Sequence, residues 1–199
     1  GKLNAFGGRI ELGGLAERGE IGLDVDNKNL RLSFPENTAL ADVSFSNGAI
    51  ANVTDVTGNS GGSITLNARN IGISGEGTSL LSGIERDTVG GQAGDITLNA
   101  TGTVTVTDGS EIYNRVRTGA EGNSGNINIK AGSLSLSNGG QVQAATFGIG
   151  KAGNVNIDVG DGTVTVIGSN SSNPSRIYST VDEKGKGNAG DIKITAKEL

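Results

Sequence analysis

The sequence predicts an all-β chain wound into a right-handed parallel β-helix, a solenoid with three short strands per coil. Three observations carry that reading. A Gly-x-(Ser/Ala)-Gly loop recurs five times, opening at Gly58, Gly91, Gly122, Gly150 and Gly187, with spacings of 33, 31, 28 and 37 residues. Self-similarity at such a period is the signature of a solenoid. Each loop is followed by short segments in which Ile, Val and Leu alternate with polar residues, the period of a strand with one buried and one wet face. The blocks recur in the same order, which favours winding over a hairpin meander, and the crossover preference of parallel sheets sets the right hand. The expected organisation is a single β-helix domain over residues 1–199, with irregular early coils over 1–57 and repeats of roughly 31 residues over 58–199.

The first strand of each coil follows the Gly loop: Ile64-Thr65-Leu66, Ile96-Thr97-Leu98, Ile127-Asn128-Ile129, Val155-Asn156-Ile157 and Ile192-Lys193-Ile194. The second comes soon after: Ile71-Gly72-Ile73, Val104-Thr105-Val106, Leu134-Ser135-Leu136 and Val164-Thr165-Val166, with Val43-Ser44-Phe45 one repeat earlier. Asn47-Gly48, Asp108-Gly109 and Asn138-Gly139 follow it as sharp corners, because these residue types tolerate left-handed backbone. The third strand is expected over 50–54, 80–84, 112–116, 142–146 and 177–181. That register places Asn52, Ser82, Asn114, Ala144 and Ser179 in one small or polar inward column. It reads as a bend or an internal hydrogen-bonded ladder, since unpaired buried amides are costly. Upstream, Arg9-Ile10-Glu11-Leu12, Ile21-Gly22-Leu23 and Leu30-Arg31-Leu32-Ser33-Phe34 alternate like coil strands; Pro35 ends the last, and 36–41 is read as a loop. Insertions at 117–121, 169–174 and 183–186 are expected to project from the stack, where such folds carry recognition. Asn59, Asn123 and Asn188 share the second loop position, which suggests a stacked amide ladder.

Composition narrows the function classes. The chain of 199 residues has 35 glycines, two prolines and no Cys, Met, Trp or His. Apolar content of 34% and aromatic content of 3% allow a thin regular core and argue against a stacking platform for nucleic acid. Net charge is −5 and no basic run exists, so nucleic acid and anionic membrane surfaces are poor partners. No apolar run approaches the roughly 20 residues that span a bilayer. Without Cys there are no disulfides and no thiolate metal sites. The chain opens on Gly1 rather than Met, and the strand at 192–196 opens a coil that stops. The first is read as a mark of processing or of a fragment, the second as a mark of truncation or of end-to-end stacking between copies.

The segment Gly8-Arg9-Ile10-Glu11-Leu12-Gly13-Gly14-Leu15, then Leu30-Arg31-Leu32-Ser33-Phe34-Pro35, then the Gly loops resemble the filamentous-haemagglutinin-like exoproteins of two-partner secretion, in the form found in filamentous cyanobacteria. The resemblance covers essentially the whole chain and rests on weak motifs in a consistent order. It implies a right-handed β-helix exported through an outer-membrane partner transporter and displayed at the cell surface or released. It also implies adhesion or aggregation rather than catalysis. Surface glycans or matrix are the candidate ligands. The secretion domain of that family carries Asn-Pro motifs near its start, whereas the one Asn-Pro here is Asn173-Pro174. The chain therefore looks like the part after the secretion domain. Self-assembly into an extracellular fibre or sheath is the alternative reading, and a polysaccharide-active enzyme is a third.

Glycoside hydrolysis usually needs two carboxylates about 5–9.5 Å apart, and the chain has no His and no obvious acidic cluster. Asp95 and Asp191 share the column after the Gly loop but are separated by Asn126 and Asn154, so no enzyme is expected. Gly90-Gly91-Gln92-Ala93-Gly94-Asp95 resembles part of a calcium-binding Gly-Gly-x-Gly-x-Asp repeat, with Ala93 where a glycine belongs. Calcium there would need further oxygen ligands, and no cofactor or metal is expected. The binding candidate is the outward face of the third strand. Tyr113, Arg115, Arg117, Arg176 and Tyr178, with Leu81, Glu111 and Gln143 beside them, read either as a shallow sugar- or protein-binding strip or as an ordinary solvated strand face.

Overall fold

The computed structural model describes residues 1–26, 29–35, 38–59 and 61–199. Ser60 of the first Gly loop and the start of the predicted 36–41 loop lie outside the described residues. Three parallel sheets form the walls of a β-solenoid. Sheet 1 stacks Arg9–Gly13, Ser63–Ala68, Ile96–Ala100, Ile127–Lys130, Val155–Asp158 and Ile192–Thr195. Sheet 2 stacks Val43–Ser46, Ile71–Ser74, Thr103–Thr107, Ser133–Ser137 and Val164–Ile167. Sheet 3 stacks Lys2–Asn4, Ile50–Asn52, Ser79–Ile84, Glu111–Val116, Gln141–Thr146 and Arg176–Val181.

In-register pairing turns the sequence alternation into axial columns. Ile64, Ile96, Ile127 and Val155 align, as do Ile71, Val104, Leu134 and Val164, and Leu80, Ile112 and Val142. All of these side chains are buried in one core. Each contributes on the order of 2 kcal/mol of transfer free energy, so the thin core is held by repetition rather than by bulk.

The Gly loop has a separate reason for each glycine. The first must turn left-handed: φ is +81° at Gly58, +113° at Gly91, +145° at Gly122, +141° at Gly150 and +144° at Gly187. The last allows close approach of successive coils, since a Cβ on Gly125 or Gly153 would lie 2.3 or 1.9 Å from the carbonyl oxygen of the equivalent glycine one coil back. Asn47, Asp108 and Asn138 also have positive φ, followed by positive-φ glycines. Each of these corners is closed by a hydrogen bond, as in Ser110 N–H to Thr107 O at 3.1 Å. Asn-Gly and Asp-Gly thus serve as corners between sheets, not as hairpins.

Four sequence expectations are corrected. First, Ile21–Leu23 and 30–34 are not coil strands: Gly22–Asp26 pairs antiparallel with Asn29–Ser33. This hairpin leaves the stack, its base pinned by an antiparallel bridge between Leu15 and Leu40 and by Ala41 N–H to Gly14 O at 2.8 Å. Second, Ala51, not Ile50, pairs with Leu80, so Asn52 pairs with outward Leu81 and Val53 takes the inward place. Ser82, Asn114, Ala144 and Ser179 do align, and their polar members bond inside the coil. Ser82 donates to Gly62 O and Gly94 O, both at 2.9 Å, and Ser179 donates to Gly153 O at 3.0 Å. The column therefore holds the Gly loops across the core rather than forming a ladder with itself.

Third, the predicted insertions are partly bound into the stack. Val89–Gln92 pairs in parallel with Glu121–Asn123, and bridges from Glu121 to Ile149 and from Ile149 to Lys186 extend this narrow fourth side. The 169–174 loop closes on itself through a Ser169–Pro174 bridge, and its Asn170 side chain lies against Gly109 and Gly139 of the corner column. Fourth, Asn123 does not stack on another loop amide; its Oδ1 accepts Lys151 N–H at 3.0 Å. Amide-to-amide bonds occur on sheet 1 instead, Asn99 to Asn67 and Asn156 to Asn128, both at 2.9 Å.

One corner gives a pH prediction. Arg69 donates twice to the Asp42 carboxylate, each bond 2.8 Å, and Asn70 donates from its backbone and its amide at 3.1 and 3.0 Å. The Arg69 hydrogen bonds lead in holding the Asp42 carboxyl at about 2, against an ordinary 3.8. A depressed folded value stabilises the fold above the ordinary value, and that contribution fades as pH falls from about 4 through about 2. In urea unfolding measured across that window, Asp42→Asn is expected to remove part of the acid-dependent loss and to leave the neutral-pH slope with pH unchanged.

Candidate functional site

The outward face of sheet 3 brings four of the five candidate residues together. Register aligns Leu81, Tyr113, Gln143 and Tyr178 in one row, Glu111, Gln141 and Arg176 in a second, and Gly83, Arg115, Ala145 and Thr180 in a third. Tyr113 and Tyr178 are therefore two coils apart, about 10 Å at the usual strand spacing. Each tyrosine carries a guanidinium on its ring: Arg115 lies 4.3 Å from the Tyr113 centroid and Arg176 lies 4.4 Å from that of Tyr178. Such pairs contribute roughly 0.5–1 kcal/mol at exposed sites and restrict both side chains.

The coil between them is covered by this layer. Gln141, Gln143 and Ala145 face outward yet are buried. The Gln141 carbonyl oxygen accepts from Arg176 Nε and from the Tyr178 hydroxyl, both at 3.2 Å. The face is thus a plate of two aromatic–guanidinium stacks seated on buried amides, rather than a row of solvated side chains. Burial raises the Glu111 carboxyl above its ordinary range, opposed by the charges of Arg115 and Arg176. Burial also lowers Arg115, with the Arg117 charge adding to the effect, and raises Tyr178.

Arg117 stands apart from the plate. It is the first residue beyond its strand, and its side chain pairs with Glu85 at 3.4 Å. There it borders a cleft of about 190 Å³ lined by Arg86, Arg115, Arg117, Thr118 and Phe147. The sequence reading missed Gln141, Phe147 and Arg86. Phe147 was within reach of it: Thr146 pairs with Val116, so the next residue falls beside Arg117, and Phe147 N–H donates to Val116 O at 2.8 Å. Nothing in the pattern marks Arg86, whose place depends on how the corner after Ile84 folds.

A second, wider groove of about 660 Å³ lies where the hairpin meets the outward face of sheet 1, lined by Arg9, Glu11, Arg31, Thr65, Asn67 and Asn99 among others. Its groups are largely spoken for, as in Asn99 to Asn67 and Arg9 to Glu11 at 3.0 Å.

Of the carboxylates weighed for chemistry, that of Asp95 is bonded into a corner, whereas Asp191 joins the same column through its backbone. Asp95 accepts Asn126 N–H at 2.7 Å, Asn126 Oδ1 accepts Asn154 N–H at 2.9 Å, and Asn154 Oδ1 accepts Asp191 N–H at 2.8 Å. The column that holds both aspartates is a corner ladder, and the Asp95 carboxylate considered for calcium is committed to it. Among the described residues no group of three or more His, Cys, Asp or Glu is placed to hold a metal ion, and no helix is long and apolar enough to cross a membrane. Comparison with protein-family models, with curated proteins and with solved structures returned no match to this chain.

Proposed function

We propose that the chain is a structural and adhesive rod that holds saccharide-bearing surfaces through the outward face of sheet 3. The observation that carries this is the pair of guanidinium-stacked tyrosines, two coils apart on the outward face of one parallel sheet. An aromatic ring offers a sugar an apolar face, while Arg offers fixed hydrogen-bond donors. The groups sit on strands whose register is set along the whole stack, so little ordering entropy is lost on binding. Export through an outer-membrane partner transporter and display at the surface or release belong to the same proposal. They rest on the resemblance to two-partner-secretion exoproteins.

Beads coated with the chain are expected to adhere to polysaccharide-coated surfaces. Tyr113→Ala/Tyr178→Ala is expected to weaken adhesion at least tenfold, the order expected from losing two stacking contacts, with circular dichroism unchanged. Adhesion that survives the double substitution would count against this face. Electron microscopy over a concentration series is expected to show separate short rods, and regular filaments would favour the fibre reading instead.

A further inference from the structure

Three arginines, Arg86, Arg115 and Arg117, line one cleft with Thr118 and Phe147, and no carboxylate is among its lining residues. Among the described residues Arg115 and Arg86 have no carboxylate within ion-pair distance, while Arg117 has Glu85 alone. Arg115 is also held between two rings, 4.3 Å from the Tyr113 centroid and 6.0 Å from that of Phe147. The Arg115 and Arg117 charges repel, and burial strips Arg115 of part of its water, so the arrangement costs free energy that an incoming anion would recover, with exposed Arg86 at the rim of the cleft.

The nearby acids do not fill the cleft. The Asp87 carboxylate lies against Gly119. Asp182, one coil beyond Phe147, accepts the backbone N–H of Lys184 at 3.2 Å. Glu111 lies on the plate, one row before Tyr113. The cleft opens beside Arg115, which belongs to the plate as well, so one extended ligand can occupy both. A ring packed on Phe147 would place its substituent among guanidinium forks whose geometry matches oxyanions.

We propose that this cleft is a subsite for the anionic group of an acidic saccharide, either the carboxylate of a uronic acid or a sulfate ester. The inference rests on the saccharide reading of the sheet 3 face and adds the class of sugar. Phe147 and the Tyr113–Arg115 stack take the sugar ring, and Arg86, Arg115 and Arg117 take the oxyanion.

The test is calorimetric titration of the whole chain with four probes: a uronic-acid oligosaccharide, the same oligosaccharide with its carboxyls reduced to alcohols, a sulfated neutral oligosaccharide, and polyglutamate. At least one acidic oligosaccharide is expected to bind ten times or more tighter than the reduced one, and to lose that advantage as salt is raised. The stronger of the two acidic probes identifies the natural oxyanion. Arg86→Gln/Arg117→Gln is expected to remove most of the difference between the acidic and reduced probes, Arg115 keeping the remainder. Arg86→Lys/Arg117→Lys keeps the charge but not the fork and is expected to restore only part of the difference. Equal binding of acidic and reduced probes by the parent chain would overturn this inference and leave the saccharide reading standing. Absence of binding by every oligosaccharide would overturn both. Binding of polyglutamate as tight as that of the acidic saccharide would also overturn it, because it would show a general anion surface.

Discussion

Gly150→Ala is expected to be the most damaging single substitution in the chain. Gly150 has φ of +141°, which L-residues avoid, and a Cβ there would lie 1.7 Å from the carbonyl oxygen of Gly122 on the preceding coil. No rotamer relieves that contact, because both groups are backbone. The coils must separate locally or the loop must refold, at a cost expected to be about 4 kcal/mol or more. In a solenoid each coil touches only its neighbours, so the damage should be local. Hydrogen exchange is expected to show lost protection in the coils that contain Gly122, Gly150 and Gly187, with Ser63–Ala68 and Ile96–Ala100 still protected. Gly160→Ala is the control: φ is +54° with nothing within 4 Å of the added methyl, so it should cost only about 1 kcal/mol. Equal effects of the two substitutions would show that contact between coils is not what the Gly loop protects.

Asn114→Leu should be the most damaging change among the core side chains. Asn114 is buried, donates to Gly94 O at 2.8 Å, and accepts Gly125 N–H at 3.1 Å. Ser124 donates to the Asn114 backbone oxygen at 2.7 Å and so ties the same strand to the same loop. Leu fills the volume but leaves the Gly125 N–H without its acceptor and removes a donor from Gly94 O. The orphaned Gly125 N–H costs roughly 1–3 kcal/mol, and Gly94 O keeps only its bond from Ser82, so a loss of about 2–3 kcal/mol in urea unfolding is expected. Ser82→Ala removes a hydroxyl shared by two carbonyls. It should cost about 1 kcal/mol. A reversed order would mean that the inward column serves packing rather than the polar needs of the Gly loops.

The three sheets were readable because period-two alternation and a repeat near thirty residues point to the same structure. The hairpin at Gly22–Asp26 and Asn29–Ser33 was not, since alternation looks the same in a hairpin as in a coil strand. The slip at Asn52 has a clear cause. Anchoring that strand on apolar Ile50 gave the wrong register, whereas the corner fixes it. The inward residue falls three positions after the corner glycine in every coil compared: Gly48 to Ala51, Gly77 to Leu80, Gly109 to Ile112 and Gly139 to Val142. Of the site, Tyr113, Arg115, Arg176 and Tyr178 follow from strand parity alone. The burial of Gln141 and the place of Arg86 do not, because they depend on how long side chains fold over neighbouring coils and on the path of a corner.

The composition supplies a direct test of the binding face. The chain has two tyrosines and no tryptophan, and both tyrosines lie in the plate. Intrinsic tyrosine emission therefore reports on Tyr113 and Tyr178 and on nothing else. Titration with an oligosaccharide shown by calorimetry to bind is expected to change that emission saturably, with the same midpoint, and the change should be smaller in each of the single variants Tyr113→Phe and Tyr178→Phe. A saccharide that binds by calorimetry while tyrosine emission stays flat would place its site elsewhere on the rod and contradict the account.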